Sequence, residues 1–233
     1  MRYKDIVEGI FVKRLNRFIA KVIIDGKPEE VHVKNTGRCQ ELFIEGVTVY
    51  LEKSDNPNRK TKYSLISIYK GDVLVNIDSQ VPNQVIYEAL IAGEIKEIGQ
   101  VTYASREVTY GTSRFDIYYE KGKEKGFIEV KGVTLEETGL ALFPDAPTTR
   151  GTKHINELVK GMNEGYNNYV CFLIQMDNIQ KFRPHHERDR VFADSLYQAI
   201  NRGLGLLVYN SKISPDTIEL GCSGLLLCQT YNK

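Results

Sequence analysis

Apolar and polar residues alternate along most of the first eighty positions of the chain. Val31 and Val33 alternate with His32 and Lys34, which is the pattern of a strand with one buried face. Segments of this kind are separated by glycine, proline and other turn residues, and helical periodicity is absent. The segments are GIFVKRL, RFIAKVIID, EEVHVKN, VTVYLEK, YSLISIYK and DVLVNID. We predict a small antiparallel barrel of OB type, although other β modules of this size give the same pattern.

The periodicity changes after Asp78, where apolar residues recur at helical spacing. Pro82 and Asn83 are placed to open a helix. The elements that follow are a hairpin, a helix after PTTRG, the apolar strand NYVCFLIQM, a helix at RVFADSLYQAI and the strand LGLLVYN. This order predicts a mixed α/β domain. The predicted division is therefore a barrel over residues 1–80 and an α/β domain over residues 81–233.

Composition sets the class of protein but not its activity. The chain has 233 residues, 42% of them hydrophobic, which is enough for a substantial core. Its four cysteines form no C-x-x-C pair, the start MRYKDIVEGIF lacks a signal-peptide pattern, and the apolar runs are too short to span a bilayer. We expect a cytoplasmic protein without a membrane partner. The net charge of +1 does not by itself indicate nucleic acid.

The hairpin SRFDIYYE, KGKEKG, FIEVKGVTL holds the most informative side chains. Glu129 and Lys131 share one face of an otherwise apolar strand. If Glu120 pairs with Lys125, Asp116 lies opposite Glu129 and Arg114 lies opposite Lys131. Two carboxylates facing each other favour a cation between them, and oxygen ligands suit Mg²⁺ or Mn²⁺. The alternative is a salt bridge on a solvated face.

Such a metal site predicts phosphodiester hydrolysis, with Lys131 orienting the attacking water or stabilising the developing charge. Glu88 on the preceding helix is a candidate third carboxylate, or else a solvated helix residue. Arg150 and His154 share one face of a helix start, where they either meet a phosphate or lie on the surface without a task. Gln175, in a buried strand, faces the same cleft or bonds to backbone.

Clusters of cations with aromatic neighbours in the barrel are typical of a surface that contacts phosphates and stacks bases. An ordinary charged surface is the alternative. The candidate DNA-binding residues are Lys13, Arg14, Arg17, Lys34, Arg38, Arg59 and Lys60.

Several longer motifs occur together along the chain. They are RLNRF, KNTG, SDNPNRKTKYSL, VNIDSQVPN, the SRFD to FIEVKGVTL pair and FPDAPTTRGTKHINEL. In this order and over nearly the whole chain, they resemble the SfsA family, the sugar fermentation stimulation proteins. The last motif is the most specific, whereas E-x-K also occurs by chance elsewhere in this chain. One departure from the family pattern is Gly132, where a serine is expected.

The resemblance implies an OB-like domain followed by a PD-(D/E)xK nuclease-like domain, DNA binding, and a link to the regulation of sugar (maltose) metabolism. Residue by residue, it implies that Asp116, Glu129 and Glu88 are the nuclease-type acids, and that Lys131 is the lysine. Arg150 and His154 fall within the family signature.

Three functional hypotheses follow. The first is a DNA-binding protein whose Mg²⁺ or Mn²⁺ site cleaves DNA, with double-stranded DNA as the expected partner and a homodimer left open. The second is a DNA-binding regulator that keeps the nuclease fold without cleaving. The third is a barrel that binds RNA or another partner, with a purely structural acidic pair.

Overall fold

The structure is a computed structural model that describes residues 1–35, 37, 39–223 and 226–227. Its first six strands are β1 (Ile6–Arg14), β2 (Ile19–Ile24), β3 (Lys27–Val33), β4 (Thr48–Lys53), β5 (Tyr63–Lys70) and β6 (Val73–Asn76). Their order is β3-β2-β1-β4-β5-β6, and a parallel pairing between β3 and β5 closes the first five strands into a barrel. The predicted barrel is confirmed.

Strand alternation fills the barrel interior. On β2 the residues Ala20, Val22 and Ile24 are buried, while the residues between them are partly exposed. On β3 the buried residues are Val31 and Val33, as their alternation predicts. Each fully buried aliphatic side chain of this size contributes about 1.5–3 kcal/mol.

The second domain contains three helices and ten strands within the described residues. The helices are α1 (Val81–Ile91), α2 (Thr149–Asn163) and α3 (Arg190–Asn201). The strands are β7 (Tyr103–Tyr110), β8 (Ser113–Lys121), β9 (Glu124–Val133), β10 (Leu135–Glu137), β11 (Leu140–Phe143), β12 (Tyr169–Ile174), β13 (Lys181–Pro184), β14 (Gly205–Ile213), β15 (Ile218–Ser223) and β16 (Leu226–Leu227). The predicted mixed α/β architecture is confirmed, and the predicted boundary at residue 80 falls between β6 and α1.

A mixed sheet of order β15-β14-β12-β9-β8-β7 forms the centre of this domain. One face packs against α1 through residues such as Ile117 and Ile128. The opposite face packs against α2 and α3 through residues such as Phe127 and Phe172. A smaller sheet of order β10-β11-β13-β16 lies beside it.

Helices α2 and α3 each begin with a capping side chain, whereas α1 does not. The side chains of Thr148 and Asp189 accept hydrogen bonds from backbone N–H groups in the first turns of α2 and α3. Helix α1 has no side-chain cap; Gln80 precedes it and a proline lies in its first turn. Asn83 therefore does not open α1, and its side chain is available for another contact.

The two domains are joined by buried hydrogen bonds at the end of β12. Gln175 Nε2 donates to Asn76 Oδ1 at 3.0 Å and to the Asp78 carbonyl at 3.1 Å, and the Gln175 carbonyl accepts from the Asn76 N–H at 3.0 Å. Buried polar groups need such partners. These bonds fix the barrel against the α/β sheet. Among the described residues, no helix is long and apolar enough to cross a membrane.

Gly126 in β9 gives a test of how closely this sheet is packed. A Cβ at this position would lie 1.7 Å from the carbonyl oxygen of Asn167, a backbone atom. We expect Gly126→Ala to lower the free energy of unfolding by about 3 kcal/mol in urea denaturation. Gly111→Ala is the control, because its Cβ would meet nothing within 4 Å and its φ of 58° costs only about 1–2 kcal/mol. Equal losses in the two variants would contradict the packing.

Candidate functional site

The hairpin of β8 and β9 has the register that the sequence predicts. Glu120 pairs with Lys125, and the ladder continues to Ile117 opposite Ile128. Lys121 also pairs with Glu124, so the turn itself is shorter than the four-residue loop that the prediction assumed. The regular pairing ends at Ile117.

The chain takes an irregular step at Asp116. The ring centroid of Phe127 lies 5.2 Å from that of Phe115 and 5.3 Å from that of Tyr118, so these three rings share one face of the sheet. Ile117 belongs to the core on the other face. Strict alternation would put Phe115 on the same face as Ile117. Asp116 therefore leaves the ladder instead of lying directly opposite Glu129, and irregularities of this kind re-aim side chains next to functional sites. The predicted pairing of Lys131 with Arg114 is lost for the same reason, and Arg114 is ion-paired with Glu107.

The carboxylate of Asp116 accepts hydrogen bonds at the point where the backbone pairing of β8 with β9 ends. Its Oδ2 accepts a hydrogen bond from the backbone N–H of Val130 at 2.7 Å, and its Oδ1 accepts one from Asn83 Nδ2 at 2.7 Å. These bonds hold the Asp116 side chain between β9 and the first turn of α1. The sequence pattern does not indicate Asn83 as a site residue, because its position after Pro82 predicts a helix start.

Glu129 is a buried carboxylate, with a side chain only 3% exposed. Its Oε1 accepts hydrogen bonds from Lys131 Nζ at 2.5 Å and from His154 Nδ1. The ring of His154 also packs edge-on against Phe115 at 5.9 Å. The strand thus supplies both the acid and its lysine, and α2 supplies the histidine.

His154 links Glu129 to Arg150. Because Nδ1 faces a carboxylate, it carries the proton, and Nε2 is then free to accept from Arg150 Nε at 3.5 Å. The two residues that the sequence places on one helix face therefore lie beside the acidic pair. Arg150 itself is exposed at the site's edge.

The second oxygen of Glu129 is the most informative atom of the site. Glu129 Oε2 is buried and has no hydrogen-bond partner within the described part of the chain. A buried carboxylate oxygen without a partner costs about 1–3 kcal/mol or more, which a bound cation would relieve. Two carboxylates are hard oxygen ligands, so the donor set fits Mg²⁺ or Mn²⁺. No group of three or more acidic, histidine or cysteine side chains that could hold a metal occurs among the described residues.

The two carboxylates have opposite pKa shifts. Burial raises the pKa of Asp116 to about 6, and the negative charge of Glu129 adds to this rise. Burial also raises the pKa of Glu129, but the hydrogen bonds from His154 and Lys131 and the charge of Lys131 outweigh burial and leave it below its ordinary value. Glu129 therefore stays ionised across the neutral range, whereas Asp116 takes up a proton as the pH falls through about 6.

Glu88 does not join the site, contrary to the expected third carboxylate. Its Oε2 forms an ion pair with the amino group of Met1 at 3.1 Å, and Gln84 Nε2 donates to its Oε1 at 2.5 Å. It lies five residues after Asn83 on α1, which turns it well away from the Asn83 face. Gln175 bonds to the segment between the domains and also lines a cavity of about 220 Å³ there. Gly132 on β9 also lines this cavity.

The barrel cations divide into internal and exposed groups. Arg14 donates to the carbonyls of Asn35 and Gly37, each at 2.7 Å, so it stabilises the loop that follows β3. Lys34 Nζ lies 3.1 Å from carboxylate oxygens of both Glu52 and Asp78. The predicted phosphate contacts of Arg14 and Lys34 therefore compete with internal partners.

The other predicted DNA contacts are placed differently. Arg59 donates to Ser64 Oγ at 3.0 Å and is partly buried. The exposed cations, whose side chains have no hydrogen bond or ion pair to any described residue, include Lys13, Arg17 and Lys60. Arg38 lies outside the described residues.

Family models match both parts of the chain. The model described as "SfsA N-terminal OB domain" matches residues 12–77. The model described as "Sugar fermentation stimulation protein RE domain" matches residues 80–217. Together they cover nearly the whole chain.

Similar proteins occur in several bacteria. The chain is 54% identical over 226 residues to a sugar fermentation stimulation protein homolog of Alkaliphilus oremlandii, covering 95% of this chain and 96% of that protein. It is 52% identical over 221 residues to a homolog of the same name from Desulfitobacterium hafniense, with 95% and 96% covered. A solved structure, titled as Pyrococcus furiosus SfsA in complex with Ca²⁺, is 27% identical with a TM-score of 0.85 over 96% of each chain.

The raised pKa of Asp116 predicts a pH-dependent cost of the charged site. At pH values between 3.8 and about 6, Asp116 is protonated in the folded protein but ionised in the unfolded chain. Above about pH 6 the buried Asp116 carboxylate is charged and lowers the free energy of unfolding. This cost disappears as the pH falls. We expect Asp116→Asn to raise the free energy of unfolding by about 1–2 kcal/mol at pH 7.5 in cation-free buffer. The gain should vanish near pH 4. Urea denaturation across this range measures it, and a gain independent of pH would count against the charged pair.

His154 should be required to keep Glu129 buried and charged. We expect His154→Ala to lower the free energy of unfolding by about 2 kcal/mol without divalent cations, because it removes one donor from a buried carboxylate. Asn156→Ala on the exposed side of α2 is the matched control and should change stability by less than about 0.5 kcal/mol. Thermal and urea unfolding of the two variants test this expectation, and a neutral His154→Ala would contradict it.

Proposed function

The chain belongs to the SfsA family of sugar fermentation stimulation proteins, and on that premise we propose that its α/β domain is a nuclease-like, metal-dependent phosphodiesterase that acts on DNA. The observation that carries the proposal is the unpartnered, buried Oε2 of Glu129 beside Asp116 and Lys131. Two buried carboxylates with an unsatisfied oxygen lower the free energy of unfolding. Such a cost is expected where a ligand completes the site.

The topology supports the same proposal. Asp116 and Glu129 lie on adjacent antiparallel strands, and the order β12-β9-β8-β7 places α1 on one face of the sheet and α2 on the other. The family resemblance implies this PD-(D/E)xK arrangement of an acid before the hairpin turn, with an acid and a lysine after it.

Asp116 and Glu129 would hold Mg²⁺ or Mn²⁺. When bound, the cation supplies polarisation of a phosphoryl oxygen and a lower pKa for water. The similar Pyrococcus furiosus protein is described in complex with Ca²⁺, a hard cation that also takes oxygen ligands. This description supports the proposal of a divalent cation.

The residues around the acidic pair divide the remaining tasks. Lys131 keeps one donor on Glu129 Oε1, and its other two N–H groups are available to orient water or bind a phosphate oxygen. Arg150, exposed beside His154 near the start of α2, is placed to contact a neighbouring phosphate. His154 holds Glu129 Oε1, so that Oε2 remains for the cation.

A second candidate function is a DNA-binding regulator that keeps this site without cleaving DNA. The observation that favours it is the placement of Glu88, which is ion-paired with the amino group of Met1 instead of completing a third carboxylate position. In this case the barrel cations would bind phosphates, and affinity would fall steeply with salt.

Cleavage of supercoiled plasmid separates the two candidates. We expect the wild-type protein with Mn²⁺ to nick the plasmid and Lys131→Ala to lower the rate at least about a hundredfold, because charge stabilisation at the site is lost. Lys123→Ala, an exposed lysine in the turn between β8 and β9, is the control and should cleave like wild type. Affinity for DNA should change less than about threefold in either variant, since one contact is a small part of the phosphate interaction.

Intact plasmid after long incubation of wild type with Mn²⁺, together with salt-sensitive binding, would favour the regulator. Equal cleavage by wild type and Lys131→Ala would contradict the assigned role of the lysine.

A further inference from the structure

The loop between β1 and β2, residues 15–18, exposes two large apolar side chains. Phe18 is 51% exposed and Leu15 is 42% exposed. We refer to this loop as the hairpin tip. Single exposed apolar residues are common on protein surfaces, but this pair lies at the end of a hairpin with Arg17 between them.

The hairpin tip is held in one conformation by its own hydrogen bonds. Asn16 Oδ1 accepts from the backbone N–H groups of Phe18 at 2.9 Å and Ile19 at 3.0 Å. Arg14 donates to the carbonyls of Asn16 at 3.2 Å and Arg17 at 2.6 Å. Its guanidinium also lies over the ring of Phe43, 4.6 Å from the centroid. The exposure of Phe18 is therefore built into the hairpin, and a rigid aromatic side chain loses little entropy on binding.

The charges beside the tip favour an anionic partner. Lys13 on β1 pairs directly with Lys21 on β2, and like charges in opposite positions of a sheet repel each other. Lys21 also faces Glu30 on β3 without an ion pair between them. Lys13 and Arg17 are exposed and have no ion-pair partner among the described residues. Phosphate groups would neutralise both cations while bases contact Phe18.

Arg14 joins the tip to the loop that carries Asn35 and Gly37. The guanidinium of Arg14 binds the tip and also the carbonyls of Asn35 and Gly37. Those two residues line the cavity between the domains, and Gly132 on β9 lines it as well.

We propose that the hairpin tip stacks unpaired bases of single-stranded DNA on Phe18 while Lys13 and Arg17 bind the adjacent phosphates. This inference rests on the proposed function and names its substrate class: DNA with a single-stranded segment, in place of continuous duplex. Aromatic stacking tolerates any base, so binding is expected to depend on strand state more than on sequence.

The absence of tryptophan from the chain allows a direct test. Phe18→Trp places one indole at the tip, and Val191→Trp, at a 66% exposed apolar position on α3, is the matched control. Both proteins are titrated in EDTA with a twelve-nucleotide oligothymidine and with a duplex of the same length. We expect saturable quenching of the tip indole by the single strand, weaker quenching by the duplex, and no change in the control.

Two outcomes overturn the proposal directly. Equal quenching by the duplex would remove the preference for unpaired bases. No quenching by either DNA would remove the tip as a nucleic-acid surface. A spectral change that depends on protein concentration without DNA would instead assign the tip to contact between two copies of the chain.

A second measurement guards against an effect of the introduced indole. Phe18→Ala should weaken binding of the single strand about tenfold in fluorescence anisotropy. Val191→Ala should leave affinity unchanged, and an unchanged Phe18→Ala would also overturn the proposal. Both experiments are run without divalent cations, so their results do not depend on whether the protein cleaves DNA at Asp116 and Glu129.

Discussion

The buried carboxylate of Glu129 is the interaction on which the site depends. Leaving this charge inside the fold requires two donors, and they come from different elements: Lys131 from the same strand and His154 from α2. Both donors bind Oε1, which leaves Oε2 without a described partner. The fold thus stabilises the charge without satisfying it completely. The same feature that costs stability is the one that the proposed cation would relieve.

The second constraint is the attachment of the barrel to the α/β sheet. Gln175 joins the end of β12 to Asn76 and Asp78, and Asp78 is in turn ion-paired with Lys34 in the barrel. The buried side chains of Gln175 and Asp78 therefore serve the junction between the domains. Their positions bring the loop around Asn35 and Gly37 next to the strand that carries Lys131. The barrel is in this way fixed against the strand that carries Glu129 and Lys131.

Periodicity predicted the elements well, because alternation and helical spacing directly reflect which face is buried. The hairpin register followed from its turn, so Glu129 and Lys131 were placed correctly on β9. The irregular step at Asp116 could not be predicted, since it depends on the contacts of Phe115 with Phe127 across the sheet. Nor could the partners of Asn83, Glu88 and Arg14 be predicted. They are set by elements far apart in sequence, and side-chain type alone does not separate an internal ion pair from a free surface charge.

Calorimetric titration of Mn²⁺ into the wild-type protein beside Asp116→Asn and Glu129→Gln tests the central claim most directly, because it measures the cation without requiring activity or DNA. We expect one saturable site per chain in the wild type and its loss in both variants, with each variant still folded. Binding of the same affinity and stoichiometry in all three proteins would contradict the claim that these two carboxylates form the metal site.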